Sequence, residues 1–501
     1  MAQIINTSQI ANTKLTANEQ MQVYNGLDSL ITNEIQMEQA KLINAELAPI
    51  YNFEMSCLAP ALELTLRGTK VDIDERNKLI AELEREKEKI HKNLCYITRA
   101  LFGADVNPQS SKDMPWLFYE KVGLPKIYNK DEKLSLDRGT LEKLYSYFNA
   151  KPFVKMVLAY RDRSKKIQAL KSGIHRDNRM RCSYNVGSTE TGRWSSSKSS
   201  LGGGANDQTW TEELRHIFIP DEGMELFNVD LEQAEARAVA YLAGDEAFIE
   251  ACESGDLWTT VCKMVWPGLP WTGDLKHDKK NVAEQPFYRH HSYRDMAKRG
   301  GHAFDYGATA FTVSKHLKIP KTLAEDFRKS YFGAFKGIVN WQQETKRELQ
   351  VNGYLITPFF NRSRHFLERL REDSTVREAI AFRPQSLIGD LLNYGLLRLW
   401  RKYPWIEPLK QVHDSITGQY PEGYYKEAAQ AIKECLEVSI PIHGRNMVVP
   451  TEILFGWNWG KCNAYNPHGL KKDHPGEKPT KNILAKTDVT ASLLDEVRRT
   501  I

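Results

Sequence analysis

The 501 residues contain no apolar stretch near the roughly 18 that a membrane-spanning helix needs, which excludes a helical integral membrane protein. The opening MAQIINTSQIANTKL has neither a basic start nor an apolar run. No export or transit signal is read there, and a cytoplasmic location is expected. Cysteine is sparse: Cys57, Cys95, Cys182, Cys252, Cys262, Cys435 and Cys462 form no CxxC and no close Cys/His cluster. That excludes a disulfide framework and a structural zinc site, and leaves seven expected buried free thiols in a reducing compartment. Internal repeats of 20–50 residues are missing, so the chain is no solenoid. Charge of one sign is also lacking: the net charge is +5 and the pI about 8.6. A polyanionic partner is therefore allowed but not required, and it needs a local basic stripe. What is present is a 41% hydrophobic content, enough for a sizeable core, and a length suited to about three units of roughly 150 residues.

Patterning divides the chain. Asp72–Ala100 reads as a long amphipathic helix, and a second helical region near Leu141–Leu170 ends in the basic run YRDRSKKIQALKSG. GSTETGRWSSSKSSLGGGAND, residues 187–207, has loop composition. HIFIP and MELFNVDLE read as short strands split by a DEG turn, and EQAEARAVAYLAG as a helix with Ala234, Ala238 and Leu242 on one side. Asp230 is thereby placed at a strand end. Further helices are expected over Tyr293–Phe311, Leu323–Leu349 and Val376–Arg401. LKQVHDSITGQY predicts a hairpin whose turn, at His413–Ser415, puts Asp414 at an exposed tip. Beyond Asn463 the Lys-, Pro- and His-rich tail reads as an extended linker, with a terminal helix only in SLLDEVRRTI.

Asp230 and Asp414 are the first candidate pair. Two aspartates distant in sequence but adjacent on one sheet suit two hard cations, the device that nucleotidyl transfer uses to stabilise attacking and leaving oxygens. Alone, each is equally a turn former. The strongest local signal is YRDMAKRGGHAFDYGA, residues 293–308, in which Arg294, Lys298, His302 and Tyr306 recur at steps of four. On a helix these share one face: two cations, an imidazole and an aromatic ring. Such a face suits a triphosphate and a stacked base. A plain solvated basic face would explain neither Tyr306-Gly307 nor the adjacent Gly300 and Gly301, each costing about 1 kcal/mol in a helix.

These motifs resemble those of the family A DNA polymerases, the bacterial polymerase I class with its phage replicases. DLEQAEAR matches the first motif through Asp230, Gln233, Glu235 and Arg237. R-x3-K-x7-Y-G is met by Arg294, Lys298, Tyr306 and Gly307. The V-H-D-E motif reads Val412, His413, Asp414, Ser415. TGR-x-SS appears as Thr191 to Ser196, and R-x7-Q as Arg377 and Gln385. The resemblance covers roughly residues 187–415.

It implies an α+β right-hand fold of thumb, palm and fingers, with an antiparallel palm sheet made from two chain segments. The expected division is 1–45 exonuclease-domain remnant, 46–172 thumb and N-terminal connection, 173–257 palm, 258–374 fingers, 375–462 palm again, and 463–501 tail. The implied activity is template-directed DNA synthesis with two Mg²⁺ ions, for which Mn²⁺ can substitute. Asp230, Asp414 and the Leu231 carbonyl would hold the metals. Arg294 and Lys298 would grip the triphosphate, Lys298 protonating the leaving pyrophosphate. His302, Tyr306, Gln233 and Glu235 would border the nucleotide, Glu235 excluding a 2′-hydroxyl. Arg193, Arg377, Gln385 and His413 would contact the primer–template, and Arg362 and Arg364, in GYLITPFFNRSRHF, its phosphates. Arg161, Lys165 and Lys166 would follow the duplex backbone, and FGWNWG would be the last palm strand. The expected partners are primer–template DNA and dNTPs, with a separate exonuclease, helicase or clamp. The expected state is a monomer in a bacterial cytoplasm or phage-infected cell. Tyr24 and Asp28 match a late exonuclease motif whose earlier part is missing, so no proofreading is expected.

Three departures stand out. Ser415 replaces a glutamate, which implies weaker support for the third-motif metal or water. His302 replaces Phe or Tyr, which bears on dideoxynucleotide discrimination. Ala381 stands where an Asn often lies. The competing readings are a single-subunit RNA polymerase, which Glu235 argues against, and a catalytically degraded polymerase acting as a DNA-binding replication subunit.

Overall fold

The computed structural model describes residues 16–479 except 130, 200, 202, 203 and 205. Ser492–Ile501, the expected terminal helix, lies outside the described residues. Among them, no helix is long and apolar enough to cross a membrane.

The N-terminal part is helical. α1 (Ala17–Ala40) carries Tyr24 and Asp28 and buries none of its residues. α2 (Ala48–Arg67) packs against the centre of the molecule through Phe53, Cys57 and Leu64. α3 (Ile73–Phe102), capped by Asp72, pairs with α4 (Lys151–Leu170) over a separate core that includes Leu94, Phe118, Leu144 and Val157.

A four-stranded antiparallel sheet forms the base of the molecule, from β1 (Met224–Leu231), β2 (Glu407–Val412), β3 (Ser415–Pro421) and β4 (Thr451–Gly456) in the order β2-β3-β1-β4. Two chain segments therefore build one sheet, with the helical region between them inserted. In β1, Phe227, Val229 and Leu231 enter the main core, while Leu226 joins a second core on the opposite face. Period-2 alternation puts Asn228 and Asp230 on that second face. A one-residue slip would drive Asp230 into the main core, so burial of Phe227 and Val229 sets where the carboxylate emerges. α5 (Ala234–Ala243) follows β1 and buries Ala234, Ala238 and Leu242 as its spacing predicts.

The inserted region carries α6 (Tyr293–Asp305), α7 (Lys321–Ala334) and α8 (Lys336–Asn352). The helix expected through Phe311 ends at Asp305, because Gly307 takes φ 73° and breaks the α register. The helix expected over Leu323–Leu349 is two helices, broken at Phe335. Gly300 and Gly301 serve packing, not a ligand. A Cβ on Gly300 would lie 2.4 Å from Phe327, and one on Gly301 3.1 Å from Tyr331, so glycine lets α6 and α7 approach closely. α9 (Asp373–Lys402) then crosses the core and returns the chain to the sheet.

Asp305 is fully buried at the end of α6, where it accepts a 2.8 Å hydrogen bond from the Tyr331 hydroxyl; burial pushes its carboxyl up to about 8. The native state holds this proton far more tightly than the unfolded chain does. Its contribution is therefore complete at acid pH and is lost as pH rises through about 8, at up to ~1.4 kcal/mol per pH unit. Asp305→Asn should flatten the fall in melting temperature between about pH 4 and 8; equal slopes in both proteins would contradict this.

Two expectations fail locally. The tail is not a linker from Asn463: Phe455 and Lys471 exchange backbone hydrogen bonds of 2.8 and 2.9 Å, and Leu470 is buried in the second core. Nor are all seven thiols buried, since Cys462 is exposed and Cys95 only partly covered.

Candidate active site

The sheet register assembles the acidic pair. Ser415 and Glu452 are the cross-strand partners of Asp230 on β3 and β4. Val412 pairs with Ser415, so the hairpin turn is the two residues His413 and Asp414. His413 takes φ 55°, a left-handed conformation that costs a non-glycine residue about 1 kcal/mol or more. That turn brings Asp414 beside the end of β1, where its carbonyl accepts from the Leu231 N–H at 3.4 Å. Asp414 is half-buried rather than at an exposed tip, because Arg193 lies against it.

Although Asp230 is exposed at the strand end, desolvation of its carboxyl by the surrounding protein, then the nearby charges of Asp414, Glu452 and Glu232, push it up to about 6. Burial also raises Asp414, although Arg193 opposes the rise. The donor set is hard carboxylate oxygen with excess negative charge, which fits divalent cations such as Mg²⁺. Ser415 adds no acid, and its hydroxyl donates to the Val412 carbonyl at 2.8 Å.

A second group lies alongside. Arg193 Nη2 donates to Glu235 Oε1 at 2.6 Å and to Asp414 Oδ1 at 3.1 Å. The Tyr306 hydroxyl donates to the other Glu235 oxygen at 2.6 Å. Burial works against the Arg193 charge, but Asp414 and Glu235 hold its pKa above the ordinary value. Glu235 thus joins two motifs, at Arg193 and Tyr306, and Arg193 joins them to Asp414, 221 residues further along the chain. Gln233, at φ 55°, forms the left-handed entry to α5 and directs Glu235 from the first turn.

Along α6 the four-residue face is retained. Arg294 is held by Asp256 at 3.1 Å, and Asp256 is shared with Lys279 at 2.8 Å. Lys298 is exposed and makes no ion pair among the described residues. His302 packs beside Trp258, ring centres 4.9 Å apart; burial lowers its pKa, which keeps the imidazole neutral. The face therefore presents one fixed cation, one free cation, a neutral ring and a phenol.

On α9, Arg377 is exposed beside Gly307, and Gln385 lies near the middle of the helix, one residue after the internal Pro384. Arg362 requires correction as a phosphate contact. It is buried and paired with Asp390 and Glu54, both at 2.7 Å, so its charge is already neutralised inside the protein. Gly192 rests on it, since a Cβ there would lie 2.3 Å from the Arg362 guanidinium carbon. Arg364 is paired with Glu378 at 3.0 Å and lies over the Phe366 ring. In the helical pair, Arg161 donates inward to the Pro108 and Leu136 carbonyls, and Lys166 is paired with Asp162 and Glu213. Of that basic run only Lys165 is exposed and unpaired among the described residues.

Sequence reading missed Asp256, Glu452 and the Glu54–Arg362–Asp390 cluster. Asp256 carries only an N-cap signal, and Glu452 is identified solely by strand register. It also missed Arg328 and Lys329, which line a cleft of about 650 Å³ with Gly307 and Phe332.

A family model described as DNA polymerase family A matches residues 74–461. The thermostable DNA polymerase I of Thermus filiformis is 28% identical over 411 residues, covering 78% of this chain and 46% of that protein. DNA polymerase I of Streptococcus pneumoniae serotype 4 is 27% identical over 423 residues, covering 80% and 45%. The chain thus spans a little under half the length of these curated relatives. Among solved structures, the POL domain of Pol1 from M. smegmatis, in complex with DNA primer-template and dNTP, gives a TM-score of 0.69 at 20% identity. That likeness covers 91% of this chain and 79% of the other.

Proposed function

This chain belongs to DNA polymerase family A, and from that premise we propose that it adds deoxynucleotides to a DNA primer under the direction of a template. The observation that carries the reading is the convergence of Arg193, Asp414, Glu235 and Tyr306 in one hydrogen-bonded group beside Asp230. Four separate sequence motifs meet there, next to a helix face with one cation left free.

The primer 3′-hydroxyl attacks the α-phosphorus of a dNTP; a new O–P bond forms, the bond to the β-phosphate oxygen breaks, and pyrophosphate leaves. Asp230, Asp414 and the Leu231 carbonyl are the groups that would hold two divalent ions, Mg²⁺ with Mn²⁺ as a substitute. Bound there, such ions stabilise charge on the attacking and leaving oxygens. Arg294, oriented by Asp256, and Lys298 hold the triphosphate; Lys298 delivers a proton to the leaving group. Arg193, Gln385 and His413 face the primer–template. Tyr24 and Asp28 stand exposed on α1, a helix that buries none of its residues, which favours synthesis without editing by them.

Glu235 links Tyr306 to Arg193, and the proposal gives it the border of the nucleotide where a 2′-hydroxyl would enter. Glu235→Ala should raise ribonucleotide incorporation relative to deoxynucleotide on the order of 10²-fold, measured by single-nucleotide extension. No change in that ratio would remove Glu235 from sugar selection.

The overall test is extension of a primed DNA template in Mg²⁺ with dNTPs or rNTPs, by the full chain and by Asp414→Asn. Extension with dNTPs alone, lost in the variant, is expected. Ribonucleotide extension would turn the reading to RNA synthesis, and tight duplex binding without extension to a DNA-binding subunit.

A further inference from the structure

Arg193 is positioned as a built part of the fold, not as a loose surface cation. Its carbonyl accepts from Thr189 Oγ1 at 2.7 Å, and the carbonyl of Gly192 accepts from Asn393 Nδ2 at 3.0 Å. Gly192 rests on the Arg362 guanidinium, and Gly389 meets the Arg193 side chain where a Cβ would come within 3.1 Å. The backbone is thereby clamped from three sides while the guanidinium reaches across the cleft. There a single nitrogen, Nη2, is shared between Glu235 at 2.6 Å and Asp414 at 3.1 Å. Arg193 Nε is buried with no acceptor among the described residues. It is the only cation paired with Asp414 among those residues, whereas Asp230 has none.

We propose that Arg193 is the resident cation of the Asp414 site, and that its transfer to the primer–template frees Asp414 for a divalent metal ion. The proposal rests on the polymerase reading and adds an order of assembly to it. A guanidinium held against the Asp414 carboxylate at 3.1 Å neutralises its charge and repels a divalent ion brought to the same group, so metal binding in the absence of DNA opposes the ion pair. Base edges in the minor groove offer only acceptors at A·T pairs and acceptors beside one donor at G·C pairs, so a primer terminus presents acceptors for both Nη2 and the unsatisfied Nε. Capture of the guanidinium by the duplex removes the competitor. By linkage, metal and duplex then each strengthen the other's binding by the same factor. The active centre therefore charges with metal chiefly when a primer end is present, and Arg362 and Asn393 act as positioning residues for the switch.

The test is Mn²⁺ binding to the full chain, read by the electron paramagnetic resonance signal of free Mn²⁺, with and without a duplex ending in a 3′-dideoxynucleotide. Wild-type protein should bind Mn²⁺ weakly without DNA and about tenfold more tightly with it. Arg193→Gln and Arg193→Met should bind as tightly without DNA as the wild type does with it, and gain nothing from the duplex. Arg193→Lys keeps the charge and should stay near the wild type, which separates loss of the cation from loss of packing. The gain should vanish when Asp414→Asn is added. Unchanged DNA-free affinity in both the Gln and Met variants, with melting temperatures near that of the wild type, overturns the proposal; so does a gain that survives Asp414→Asn. A wild type that extends no primer, while the DNA-free difference persists, removes the polymerase reading and leaves Arg193 as a metal gate.

Discussion

Asp230→Asn is expected to lose at least three orders of magnitude in primer extension and yet to melt at a higher temperature than the wild type. The activity loss follows from removing one of the two carboxylates that, under the proposed function, would hold charge-stabilising cations. Stabilisation of that kind supplies several kcal/mol, and about 4 kcal/mol corresponds to roughly 10³ in rate. The stability gain has a separate cause. Asp230 is exposed at the strand end, has no ion-pair partner among the described residues and sits among Asp414, Glu452 and Glu232; desolvation of its carboxyl and those charges push it up to about 6. A folded-state pKa raised in this way destabilises the protein at pH 7, and asparagine relieves it. Asp414→Asn should show the same activity loss with a smaller gain, because Arg193 at 3.1 Å opposes the rise that burial causes there. Melting curves and extension rates for both variants give the comparison. Equal stability changes in the two would contradict the account of the site's charge.

Lys298→Ala is expected to lower kcat by about 10² to 10⁴ while leaving the fold intact. Lys298 projects from the exposed face of α6 and pairs with no described carboxylate, so its removal breaks nothing inside the protein. Arg294 on the same face differs, since Asp256 holds it and loss of its charge would leave Asp256 with Lys279 alone. A leaving pyrophosphate needs both charge neutralisation and a proton, and Lys298 is the exposed group on this face able to supply both. Lys298→Arg, which keeps the charge but is a poor proton donor, should restore nucleotide affinity more than it restores kcat. A kcat in Lys298→Arg equal to that of the wild type by single-turnover kinetics would show that charge alone matters and would dismiss proton delivery. A wild-type rate in Lys298→Ala would remove this residue from the reaction.

Glycine shows how a local signal can have a cause outside its own segment. Gly300 and Gly301 were expected to signal a ligand, because two helical glycines carry a local cost. The structure assigns them to the contact with Phe327 and Tyr331, which no local pattern reveals. Arg362 shows the reverse. Its basic neighbourhood suggests phosphate binding, but Asp390 and Glu54, 28 residues later and 308 earlier, take up its charge. Charged residues read in isolation look free; their partners are decided by tertiary packing.

What the sequence alone determined are the features of short range or strict periodicity. The four-residue steps of Arg294, Lys298, His302 and Tyr306, the alternation that turns Asp230 away from Phe227 and Val229, and the HDS turn between two apolar runs all depend on helix and strand geometry, which is local. Only the tertiary structure decided which strand lies beside which, and hence that Glu452 flanks Asp230 and that Glu235 joins Arg193 to Tyr306. Sheet register and ion pairing between distant segments follow from the burial of whole faces, a property of the assembled core that no single stretch of chain contains.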